Sequence, residues 1–167
     1  MDAKMICHPI DPVWNADSKV LILGSFPSVK SRETMFFYGH PQNRFWRVLS
    51  AVLNVEMPQT IAEKKALLIA HKIAMWDVIA SCEIRGSADS SIRNAVPNDI
   101  GMIIEHSKIQ RVFVNGGTAA RLYDRYLLPT VGVTATKLPS TSPANASWSF
   151  ERLCTEWRSV ADELVKP

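Results

Sequence analysis

Apolar residues fall into short runs and helical stripes along this chain, with polar turns between them. Val20 to Leu23 is an unbroken apolar run, and the pattern predicts a first strand from Lys19 to Leu23. Gly24 ends the run and Pro27 blocks its continuation. Phe45, Trp46, Leu49 and Leu53 recur at helical spacing, so a helix is expected from about Asn43 to Leu53, with Asn43 standing at its start. Thr60 and Glu63 have the spacing of a capping box, for a helix reaching about His71. Lys72 to Val78 reads as strand two, apolar until Asp77. Pro97 and Asn98 open a helix carrying Ile100, Ile103 and Ile104, and Ile109 to Val114 is strand three. Asn115-Gly116-Gly117 turns the chain into a helix that Pro129 ends, and Val133 to Leu138 is strand four. Phe150, Leu153, Trp157, Val160 and Leu164 form one stripe on a final helix, from about Ser147 to Val165. Residues 1 to 18 read as an irregular lead-in, the stretch after Pro27 as a basic loop, and Ala80 to Arg93 as an ordered polar loop.

Strands alternating with helices imply a parallel sheet covered on both faces. The expected fold is α/β, a three-layer α/β/α sandwich with a central four-stranded parallel sheet, in a single domain of residues 1–167. Ligands of such sheets bind beyond the carboxyl ends of the strands. Four polar turns fall there: Gly24–Ser28, Asp77–Ser81, Asn115–Gly117 and Pro139–Asn145.

Composition adds exclusions. No apolar run suits a membrane span or a signal peptide, so a cytoplasmic protein is expected. Three scattered cysteines, with no C-x-x-C pair, give neither a disulfide framework nor a zinc site, and are one short of the thiolates of an iron–sulfur cluster. Neither a metal nor another cofactor is expected, and no G-x-S-x-G elbow marks a serine hydrolase. The net charge is +3, and the segment from Ser28 to Arg47 alone has an excess of three positive charges, from Lys30, Arg32, Arg44 and Arg47 against Glu33. Lys137 to Trp148 holds one lysine and no acid. Such segments suit a phosphate backbone, or simply solvent.

Two ordered motifs sharpen this. The first is G-S-F-P-S after strand one, followed by F-F-Y-G-H-P-Q-N-R-F-W from Phe36 to Trp46; the second is Leu138-Pro-Ser-Thr-Ser-Pro-Ala-Asn145. Together they resemble the uracil-DNA glycosylase superfamily, and most of all its hypoxanthine (deoxyinosine) branch, relatives of the mismatch-specific uracil and thymine glycosylases. The resemblance implies a monofunctional glycosylase that hydrolyses the N-glycosidic bond of a deaminated base in DNA, hypoxanthine foremost, and leaves an abasic site for base excision repair. A uracil or G/U-mismatch glycosylase on the same fold is one alternative, and a non-catalytic nucleic-acid-binding module is another. Two positions depart from the mismatch-uracil pattern: Phe26 replaces the asparagine of G-x-N-P-G, and Leu138 replaces the His or Asn that opens the second motif. Both shift the expectation away from uracil. DNA is the partner implied, and a monomer is the default.

Base release needs a group that holds water or charge beside the sugar, donors aimed at the departing base, and a pocket for the flipped nucleotide. The resemblance implies Asn43 as the catalytic residue; without it, the sequence favours an ordinary helix cap. Gly24, Ser25, Phe26, Tyr38, Asp77 and Asn115 are the base-binding candidates. Tyr38 would stack on the base, and the N–H groups of Ser25 and Phe26 would meet a base carbonyl. Asp77 would accept the N1–H that hypoxanthine has and adenine lacks, or else cap the loop after its strand. Asn115 is either a polar contact or a turn former. Ser28, Lys30, His40, Arg44, Lys137, Ser140, Thr141 and Ser142 are candidates for DNA contact through charge, hydroxyl or backbone N–H, and Pro143 or Ala144 for the wedge. His8, His71 and His106 have no assigned partner.

Overall fold

The computed structural model describes residues 4–167. The lead-in is less irregular than expected: Lys4–Cys7 forms a strand (β1). Val20–Gly24 (β2), Ile73–Asp77 (β3), Arg111–Asn115 (β6) and Ala135–Leu138 (β7) form the expected four-stranded parallel sheet, in the order β3-β2-β6-β7. The stretch after β3 is not simply a loop. Ile79–Ile84 (β4) pairs antiparallel with β1 on one side and with Arg93–Pro97 (β5) on the other, making a second, three-stranded sheet. Its alternation is hidden in the sequence because Ser81 and Glu83 interrupt an otherwise apolar run, and two register irregularities break the pairing with β5. Between β4 and β5 lies a single short turn of 3₁₀ helix at Asp89–Ser91.

β2 is buried along its whole length, and its side chains divide by parity. Val20 and Ile22 enter a core with Phe45, Leu49, Leu153 and Trp157; Leu21 and Leu23 enter the opposite core with Ile100, Val114 and Tyr123. A parallel strand buried on both faces reads as a continuous apolar run for this reason. The first core is covered by helices Phe45–Leu53 (α2), Ile61–Ala70 (α3) and Phe150–Leu164 (α7), and the second by Ile100–Glu105 (α4), Gly117–Tyr126 (α5) and Leu128–Val131 (α6). Pro129 sits in the first turn of α6, where its missing N–H costs nothing, so it starts a helical turn as well as following one. The stretch read as a basic loop contains a helix, Val29–Thr34 (α1), whose N-cap is Ser28: its Oγ accepts the Ser31 N–H. Among the described residues no helix is long and apolar enough to cross a membrane.

Trp157 ties this frame to the late loop. Its ring is fully buried against Phe45, and its Nε1–H donates to Pro139 O at 2.9 Å. Trp157→Ala should therefore cost roughly 3–5 kcal/mol of stability by urea denaturation; a change under about 1 kcal/mol would contradict this role.

Candidate active site

The ends of β2, β3 and β6 and the turn after β7 enclose a cavity of about 380 Å³, within the roughly 300–1,000 Å³ usual for small-ligand sites. Residues 24–28 and 140–144 form two of its walls, and Tyr38, Asn43, Asp77, Asp89 and Asn115 reach into it. Each wall follows a strand that ends in the sheet, as the sequence pattern predicts.

Gly24 and Asp77 are register partners on adjacent parallel strands. A Cβ on Gly24 would stand 2.4 Å from Asp77 Oδ1 and 3.0 Å from Tyr38 Oη, so only glycine leaves the floor open. Asp77 is buried, and its Oδ2 lies 2.7 Å from His8 Nε2. His8 Nδ1 accepts the Ile10 N–H, which places the ring proton on Nε2 for donation to Asp77. No protein group among the described residues donates to Asp77 Oδ1. His8 is thus a site residue that the sequence left without a partner. Pairing of β1 with β4 carries it there, Cys7 opposite Ser81, and the His8 N–H donates to Ala80 O at 2.7 Å.

Tyr38 has a left-handed backbone, φ 55°, a rare conformation for a bulky residue. One face of its ring is stacked on Phe45 at 4.1 Å, so at most the other face is free for a base. Its hydroxyl is buried without a hydrogen-bond partner among the described residues, although the Asn115 amide stands close by. Burial first, then the neighbouring carboxylates of Asp77 and Asp89, raise this phenol well above the usual tyrosine range. Phe26 is buried beneath the cavity, edge-on to His8 at 5.9 Å.

Asn43 Oδ1 is fully engaged. It accepts the Phe45 N–H at 3.0 Å, and the Thr141 hydroxyl at 2.9 Å. Its Nδ2 group is therefore the part left free in the cavity wall. Asn43 and helix-starting geometry coexist, since Arg44 occupies the cap position itself. Thr141, expected on DNA, is instead wholly buried and links Asn43 to Asn115: besides the bond to Asn43, its Oγ accepts from Asn115 Nδ2 at 2.9 Å, and its N–H donates to Asn115 Oδ1 at 3.1 Å. Arg44 is likewise turned inward. Its N–H donates to Thr141 O, and its guanidinium to Asn145 O and Trp148 O. The two motifs are thereby bound to each other through side chains that read as DNA contacts in the sequence.

Ser25 Oγ donates to Asp89 Oδ1 at 3.0 Å. Asp89 keeps solvent-facing surface at the cavity mouth, yet protein crowds it on most sides, and this desolvation, with Asp77 nearby, raises its carboxyl from the ordinary value. Nothing in the surrounding sequence, S-A-D-S-S, distinguishes it from a solvated loop acid. Ser140, Ser142, Pro143 and His40 also line the cavity. The Ser140 and Ser142 hydroxyls accept local N–H groups, at 3.1 and 3.2 Å. Lys30 and Lys137 are exposed and stand outside the cavity, Lys30 facing Glu33 at 3.9 Å.

The family model described as Uracil DNA glycosylase superfamily matches residues 12–164. The chain belongs to this superfamily. A relative from Methanosarcina acetivorans named Hypoxanthine DNA glycosylase is 33% identical over 157 residues, covering 93% of this chain and 98% of its own. A second of the same name, from Methanosarcina barkeri, is 29% identical over 136 residues, covering 80% of this chain and 85% of its own. A solution NMR structure from Methanosarcina acetivorans, described as a candidate uracil DNA glycosylase, is similar with a TM-score of 0.82 and 30% identity, covering 98% of this chain and 100% of that one. The superfamily assignment makes this protein a DNA glycosylase, with its cavity at the strand ends that carry both motifs.

Thr141→Val keeps the shape of the link between the motifs and removes its hydroxyl. It strands the Asn115 amide and takes one partner from Asn43. A loss of about 1–3 kcal/mol in urea denaturation is expected; an unchanged midpoint would remove the link from the account.

Proposed function

We propose that this glycosylase hydrolyses the N-glycosidic bond of deoxyinosine in DNA, releasing hypoxanthine and leaving an abasic site. The observation that carries the reading is Asp77 Oδ1, an acceptor with no protein partner on the floor of the cavity. Hypoxanthine differs from adenine in carrying a proton on N1, next to a carbonyl. A flipped hypoxanthine can donate that proton to Asp77, whereas adenine presents a lone pair to the carboxylate. The names of the two relatives agree with this choice. So do Phe26 and Leu138, apolar side chains buried where a uracil-type site would hold polar groups.

As the bond from sugar C1′ to N9 lengthens, the sugar becomes cationic and the base anionic. Asn43 donates through Nδ2 and holds the oxygen of a water beside C1′, leaving a lone pair for attack. Water adds to C1′, the bonding pair passes to the base, and the base takes up a proton. Asp89 adds a second carboxyl to the cavity lining, where it can offset the positive charge that develops on the sugar. No lysine lines the cavity, which favours water over an amine as nucleophile. Phosphates of the strand meet the cavity edge at Ser28, Ser140, Ser142 and His40, with Lys30 and Lys137 further out, and Pro143 fills the gap left by the base.

Asn43→Ala should slow base release from a deoxyinosine duplex by about 100-fold or more, with duplex affinity within about threefold of wild type. Release and folding stability lost in step would leave Asn43 only its structural part. Asp77→Ala should slow hypoxanthine release from the deoxyinosine duplex by about tenfold or more in the same gel assay. A rate within about twofold of wild type would remove Asp77 from base reading.

A further inference from the structure

Two groups beside Asp77 have no part in breaking the bond: the His8 imidazole and the Tyr38 hydroxyl. His8 is held on every side. Its side chain is buried between Phe26 at 5.9 Å, Phe37 at 6.1 Å and Trp76 at 6.2 Å, and its Nδ1 is occupied by the Ile10 N–H. It therefore has one proton to give and one direction in which to give it, toward Asp77 Oδ2. A carboxylate anchored at one oxygen cannot rotate freely, and its second oxygen is left pointing at the open space above Gly24. The Tyr38 hydroxyl stands close to the same point, 3.0 Å from where a Gly24 Cβ would be. A buried hydroxyl with no partner is costly to keep, and such a group in a cavity marks where a ligand atom belongs. Its raised ionisation keeps the proton in place for donation.

We propose that His8 is a positioning residue that sets Asp77 and Tyr38 as an acceptor–donor pair for a lactam edge, a ring N–H beside a carbonyl. Asp77 Oδ1 accepts the ring N–H and Tyr38 Oη–H donates to the neighbouring carbonyl oxygen. Hypoxanthine, xanthine and uracil all carry that edge. Adenine and cytosine carry an amidine in its place, with a ring lone pair where Asp77 requires a proton. The pair thus reads the product of deamination as a chemical class, and hypoxanthine is one member. Guanine shares the edge, and its rejection falls to the cost of unpairing it from cytosine before it can enter. This inference rests on the cavity being the pocket for the flipped base.

Binding tests it without relying on bond cleavage. The probes are two duplexes with a 2′-fluoroarabino sugar, which resists cleavage: one carries hypoxanthine, the other unsubstituted purine, which lacks both the N1–H and the carbonyl. Wild type should bind the hypoxanthine duplex about tenfold more tightly or better. His8→Phe retains an aromatic ring but has no proton to donate, and should reduce the preference to under about threefold. His8→Gln can again donate an amide proton to Asp77, and should restore most of it. Tyr38→Phe should lower the preference while leaving the melting temperature unchanged or higher, because it removes an unpaired buried hydroxyl. A purely structural histidine would lose stability in His8→Phe and keep the preference, which would overturn the proposal. So would a wild type that binds both duplexes equally, whatever it cleaves. A wild type that prefers hypoxanthine but releases no base from deoxyinosine would instead support the reader and overturn the proposed reaction.

Discussion

β2 has neighbours on all four sides: β3 and β6 along its edges and a hydrophobic core against each face. Such a strand can meet a ligand only at its end, and Gly24 is that end. The lack of a side chain at Gly24 lets the Asp77 carboxylate and the Tyr38 hydroxyl stand close to the backbone. Asn43 and the second motif are then arranged around that floor. Burial of the central strand fixes the place of the site, and glycine at its end gives the site depth.

The walls depend on bonds between segments far apart in sequence. Thr141 joins Asn43 to Asn115 across 98 and 26 residues, and Arg44 clasps the loop from Asn145 to Trp148. These are buried or half-buried polar links, and each is satisfied by its partners, as polar groups in such places must be. The same links set the chemistry: with its oxygen engaged twice, Asn43 offers an amide N–H rather than an acceptor. Asn43 thus supports the helix start through its oxygen and, in the proposed reaction, would meet water through its nitrogen.

Most of the frame was legible because it depends on local periodicity. The four parallel strands, the α2 and α7 stripes and the positions of the polar turns follow from the spacing of apolar residues such as Phe45, Leu49, Leu153 and Trp157. The second sheet was not legible. β1 and β5 are short, largely exposed strands whose side chains carry little alternation, and β4 is broken by Ser81 and Glu83. His8 was lost with β1, since a lone histidine near the start of a chain has no visible partner until pairing brings it to Asp77. Asp89 was lost inside a polar loop for a similar reason. Arg44 and Thr141 carried the opposite lesson. A cation and a hydroxyl in a basic, serine-rich context look like phosphate ligands, yet nearby carbonyls and amides claim them first. Asp77 could be singled out because a carboxylate ending an apolar strand is unusual on the page, whereas its orientation is a product of tertiary structure.

The most direct measurement is single-turnover base release from labelled duplexes that differ at one position: deoxyinosine, uracil, xanthine, a thymine mismatch or deoxyadenosine, with alkali to cut abasic sites. The account predicts fastest release from deoxyinosine and none from deoxyadenosine. Release from uracil alone, or no release from any duplex while DNA remains bound, would contradict it.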